Sequence, residues 1–97
     1  MAFNDYAFLG IIKRANALVS GDRMLDGIRN KKVYLVLLSR DASERSQKVI
    51  RDKCSFYGIP LLDDLDGQLL HANINQTAIA IGITNVDMAN KVLKESR

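Results

Sequence analysis

The chain is poor in the residues on which catalysis and metal binding draw. Its one histidine, His71, has no cysteine or second histidine at ligand spacing, which argues against a zinc centre. Its one cysteine, Cys54, cannot close an internal disulfide and has no adjacent histidine to activate it, so it is expected to fill the core in a reducing compartment. No stretch has the length or unbroken apolarity of a signal peptide or a membrane span, so the expected localisation is cytoplasmic, with no membrane partner. Glycine is missing from Ser39-Arg40-Asp41, the turn where a Rossmann or P-loop fold would need it. Asp63, Asp64 and Asp66 lack the further ligands and closing glutamate of a calcium loop. No catalytic residue, metal or cofactor is therefore expected. The three tyrosines and three phenylalanines fall mostly on core-facing positions, so stacking platforms for single strands are not expected either.

Lysine and arginine are also absent between Cys54 and Asn90, and that gap shapes the charge of the whole chain. Lys13, Arg14, Arg23, Arg29, Lys31, Lys32, Arg40, Arg45, Lys48, Arg51 and Lys53 lie in the front half, and Lys91, Lys94 and Arg97 at the tail. The middle carries Asp63, Asp64, Asp66 and Asp87. The net charge of +3 is modest, but a one-sided field of this kind attracts phosphates. With 97 residues, 47% apolar and 26% charged, the chain is expected to form one domain, 1–97, around one core.

The apolar spacing predicts alternating helices and strands. Asn4 caps a first helix with Phe8, Ile11, Ile12 and Ala15 on its buried stripe and Lys13 and Arg14 facing away. Ser20 offers its hydroxyl to the open amides of a second helix, which buries Met24, Leu25 and Ile28 and carries Asp22 in its positive first turn. Val33 to Leu38 reads as a strand buried on both faces. A third helix starts from Asp41 or Ser43 and ends at Gly58, with Val49, Ile50, Cys54, Phe56 and Tyr57 on its apolar arc and the Lys53 stem lying over that arc. Ile59 to Leu62 forms a short strand, then come an acidic turn and a short helix around Gln68 to Ala72. Ala78 to Thr84 is the second buried strand, and Asn85 caps a last helix that buries Val86, Met88, Ala89, Val92 and Leu93. The alternation implies an α/β fold, a three-layer α/β/α sandwich.

Four blocks carry a family resemblance: Leu9-Gly10 through Ser20-Gly21; Lys32 to Leu38 with Asp41-Ala42-Ser43; Asp52-Lys53-Cys54 with Tyr57, Ile59 and Pro60; and Ala80 to Thr84 with Ala89-Asn90-Lys91. In order and spacing the chain resembles the bacterial YlxQ-type members of the ribosomal L-seven-Ae/L-thirty-e superfamily, whose theme is recognition of kinked RNA. The resemblance implies a mixed, mostly four-stranded sheet, with Leu18-Val19 as an added strand. It also implies a non-catalytic RNA-binding protein for structured RNA, kink-turn-like or ribosomal, with no DNA partner.

In such relatives the RNA is held by the start of the second helix and by the loop before the last strand. Those elements fall here on Ser20, Gly21, Asp22, Arg23 and Met24, with Gly27 one turn on, and on Asn73, Ile74, Asn75, Gln76 and Thr77. Strong kink-turn binders place Glu or Gln where this chain has Met24, and a lysine where it has Gly27. Asp22 and Asp26 are adverse to phosphates. Arg23, Lys13, Arg14 and Lys32 are the cations expected to compensate, converging on one edge around the second-helix start, and Arg40 is a further candidate RNA-binding residue. The alternative reading is a protein-interaction domain of the same fold, with a protein partner in place of RNA.

Overall fold

The computed structural model describes residues 5–76 and 78–95. Along the chain these form α1 (Tyr6–Arg14), β1 (Leu18–Ser20), α2 (Gly21–Arg29), β2 (Leu35–Ser39), α3 (Glu44–Tyr57), β3 (Leu61–Leu65), α4 (Gly67–Ile74), β4 (Ala80–Ile83) and α5 (Val86–Glu95). The strands make a mixed sheet in the order β1-β4-β2-β3. β4 runs antiparallel to both β1 and β2, while β2 and β3 are parallel. Every residue of β2 and β4 is buried, as a continuous apolar run requires. One face of the sheet packs Leu35, Leu37, Ile81 and Ile83 against Leu9, Ile12, Leu70, Ala89 and Val92 of α1, α4 and α5. The other packs Val36, Leu38 and Ala80 against Met24, Ile28, Ile50 and Cys54 of α2 and α3. The three-layer α/β/α sandwich follows.

Register fixes which loops share an end. Ser20 lies opposite Ile81, and Leu38 opposite Ala80, so β1 and β2 leave the sheet where β4 enters it. The starts of α2 and α3 and the segment before β4 therefore cluster at one end of the sandwich. Three cap expectations hold, at the two ends of α3 and the start of α5. Ser43 Oγ accepts from Ser46 N at 3.2 Å, Asn85 Oδ1 accepts from Met88 N at 3.0 Å, and Gly58 closes α3 in the left-handed region at φ 71°. Asn4 lies outside the described residues.

Several side chains depart from the expected pattern. Ile11 and Ala15 are exposed, because α1 turns Leu9, Gly10 and Ile12 inward and Gly10 is pressed against the Asn73 carbonyl of α4. Val49, Phe56 and Val86 are exposed as well, since the sheet covers only the narrower arc of Ile50 and Cys54 on α3 and of Ala89 and Val92 on α5. Asp63 and Asp64 belong to β3 rather than to a turn: it is an edge strand, and Asp63 reaches Arg51 at 2.6 Å.

Cys54 is 2% exposed, and burial pushes its thiol up to about 11. In the unfolded chain the thiol ionises first, so between about pH 9 and 11 the folded state holds the extra proton and stability falls as pH rises. Denaturant melts at pH 8 and pH 10.5 (about 2.5 units apart, covering most of that window) are expected to show a larger loss for the parent than for Cys54→Ala. Ellman's reagent is expected to react fast only after unfolding.

Candidate functional site

The backbone at the start of α2 has a conformation that suits glycine. Ser20 is extended, at φ −144° and ψ 170°, and Gly21 turns into the helix at φ +59° with open space where a side chain would be. The Ser20 hydroxyl does not cap α2, contrary to expectation; it accepts from Gln76 Nε2 at 3.3 Å. That bond ties the start of α2 to the segment before β4. The segment itself leaves α4 through Asn75, left-handed at φ 54°.

Lys13 does not face away from the fold. Its ammonium group donates to the Ile74 carbonyl at the end of α4, so α1, α4 and the start of α2 are linked in sequence by Lys13–Ile74 and Gln76–Ser20. Asn73 donates within its own helix, to the Leu69 carbonyl at 2.8 Å. Ile74 is buried, and Thr77 lies outside the described residues. Arg14 lies exposed beside Gly10 of its own helix. Arg40, in the turn after β2, pairs with Asp66 at 3.3 Å. The Asp66 carboxyl caps α4: the Leu69 amide foremost, then the Gln68 amide and the Arg40 guanidinium, hold it below the usual carboxylate range.

Three clefts surround these elements. The first, about 410 Å³, lies between α2 and α3 and is lined by Ser20, Gly21, Met24, Leu25, Ile50, Ala78, Ile79 and Ala80. The second, about 330 Å³, is lined by Ser39, Asp41, Gly67, Gln68 and His71 together with Ala78 and Ile79. Ile79, 47% exposed, thus lines both recesses. The third, about 270 Å³, runs along the other flank of α2 and brings together Arg23, Asp26, Gly27, Asn30 and Lys32 with Val19 and Thr84. Asp26 is engaged by Arg29. Of the four cations expected on one edge, Arg23 and Lys32 share this cleft; Lys13 is tied to α4, and Arg14 stays against α1.

Sequence reasoning missed Leu25, Ile50 and Ile79, which form the apolar lining. Leu25 and Ile50 are ordinary core types within helices, and Ile79 sits just before β4; all three border the cleft where these segments meet. Exposed apolar residues beside polar recesses suit an unstacked base, whose faces are apolar and whose edges are polar.

Comparison with known proteins gives the class first. A Giardia lamblia 15.5kD RNA binding protein, 18% identical, superposes with a TM-score of 0.66 over 96% of this chain and 92% of its own. That likeness shows a shared α/β/α fold. A Bacillus halodurans C protein described as of unknown function, 30% identical, superposes at 0.87 over 92% of each chain. No family model matches the chain. RNA-binding protein YlxQ of Bacillus subtilis (strain 168) is 34% identical over 90 residues, 91% of this chain and 90% of that one, and its Enterococcus faecium counterpart is 30% identical over 84 residues, 86% and 82%. The chain belongs to the YlxQ family, which is named for binding and not for a reaction.

Gly27 departs from the strong-binder pattern for a steric reason. A Cβ there would stand 2.6 Å from Val33 Cγ2, and Val33 is fully buried and β-branched. Helix propensity favours alanine by up to ~1 kcal/mol, but overpacking costs about 1–3 kcal/mol, so Gly27→Ala is expected to be net destabilising. A drop of several degrees in a thermal melt checks this, and Gly27→Lys is expected to fall at least as far.

Proposed function

We propose that this chain is a non-catalytic protein that binds structured RNA, kink-turn-like or ribosomal, through the end of the sandwich where α2 begins and β4 enters. The whole chain acts as one domain in the cytosol. The observation that carries the reading is Ile79 lining both recesses on a rim that the Ser20–Gln76 hydrogen bond closes.

Two neighbouring bases splayed at a kink would sit on either side of Ile79. One would lie against Met24, Leu25 and Ile50, and the other would offer its edge to Asp41, Gln68 and His71. Arg23 and Lys32 would take phosphates along the outer flank of α2, where Arg29 offsets the charge of Asp26. Arg40 would exchange its exposed contact with Asp66 for a phosphate. The YlxQ names of the two curated relatives support the reading. The protein-partner alternative rested on Asp22, Met24 and Asp26, and the pairing of Asp26 with Arg29 removes part of that ground.

Titration with a kink-turn RNA and a matched plain duplex, at about 50 and about 200 mM salt, tests the reading. The kink-turn is expected to bind more tightly at both salts. Ile79→Ser is expected to cost roughly tenfold on the kink-turn and little on the duplex, as loss of one base contact would. Arg23→Ala is expected to weaken both and to reduce the salt slope by about one. Equal affinity for the two RNAs would overturn the proposal.

A further inference from the structure

The outer surface of α3 is not uniformly polar. Val49 and Phe56, seven residues apart, fall on one flank of the helix with Lys53 between them and Arg45 one turn earlier. Phe56 is 80% exposed and Val49 44%. Arg51, about 200° around the helix from Val49, pairs with Asp63 of β3. The flank carrying Val49 and Phe56 therefore turns away from the sheet edge, toward α2. Phe56 meets Tyr57 in a T-shaped pair, with ring centroids 4.9 Å apart at 80°, and at 80% exposure most of its ring remains open to solvent.

This flank continues the rim already described. A cleft of about 210 Å³ lined by Arg45, Ser46, Val49, Ile50 and Ile79 joins it to the apolar recess, which shares Ile50 and Ile79. Its charge is also one-sided. Asp52 is engaged by Lys48 at 3.3 Å, whereas Arg45 and Lys53 have no ion-pair partner among the described residues. An open aromatic face, an apolar neighbour and two uncompensated cations in one line fit a polyanion with flat apolar faces.

We infer that this flank of α3 binds a single-stranded RNA segment that leaves the structured element, with Phe56 stacking on a base and Arg45 and Lys53 meeting phosphates. The inference rests on the proposed RNA function and extends its footprint along a second helix. The path is set by continuity: a strand leaving the recess beside Ile79 meets Arg45 first, then Val49, then Phe56.

The test uses the intact protein and two forms of one kink-turn stem, with and without a single-stranded uridine tail of about eight nucleotides. The tail is expected to tighten binding about tenfold. Phe56→Ala and Lys53→Gln are expected to abolish that gain while leaving the tail-less stem unaffected. A separate arm follows the emission of a Phe56→Trp variant as the free uridine oligonucleotide is added, and quenching is expected. If the stem without a tail fails to bind, the reading of the sandwich end falls, and quenching by the free oligonucleotide still decides the flank. A tail that adds nothing, a gain that survives Phe56→Ala, or an unquenched Phe56→Trp variant overturns the inference.

Discussion

Burial of β2 and β4 on both faces is the constraint from which the rest of the architecture follows. Leu35 to Ser39 and Ala80 to Ile83 are all buried, so each face of the sheet needs its own layer of helices. With β4 antiparallel between β1 and β2, the segment entering β4 must arrive at the end where β1 gives way to α2. Topology thus juxtaposes the two candidate binding elements before any polar contact forms. The Ser20–Gln76 hydrogen bond fixes an adjacency that the sheet has already created.

The central strands were legible because a short continuous apolar run has few other solutions. β1 was not, since its three residues are only half-buried and their extended form depends on Ile83, Gly82 and Ile81 across the sheet. The resemblance supplied that strand; periodicity did not. Helical spacing also located the buried arcs but not their widths. Phe56 and Val49 satisfy the spacing of the α3 core arc, yet their exposure follows from how α3 lies on the sheet, which no local pattern encodes. The expectation that the aromatics mostly face inward does not extend to Phe56 or to Tyr34, 42% exposed, for the same reason.

At the site, the position of the second-helix start was readable from Ser20-Gly21, and the polar roles around it were not. Ser20 has the ordinary look of a helix cap, but its hydroxyl serves a side chain 56 residues away. Lys13 has the look of a solvent cation, but its amine is committed to a carbonyl 61 residues on. Such bonds join elements that meet only in the folded chain, whereas the caps that were read correctly, at Ser43 and Asn85, bond three residues ahead. Local chemistry is visible in sequence and long-range partners are not.

The departures from the strong-binder pattern on α2 make sense as one steric and electrostatic arrangement. Gly27 gives up its side chain so that α2 can close on Val33, and a cation at that position is thereby excluded. Lys32, beyond the end of α2, lines the same cleft as Arg23, so positive charge returns to the flank from outside the helix. Asp26 sits between them but is turned to Arg29. Asp22 remains in the first turn, where the partial positive charge of the helix start favours it. A phosphate approaching that start must compete with Asp22 for the same field, whereas one approaching the flank meets Arg23 and Lys32 with the nearest acid already paired. In the proposed RNA complex the electrostatics of this chain would therefore favour backbone contact along the side of α2, leaving its tip, beside Gly21 and Met24, for apolar contact with a base.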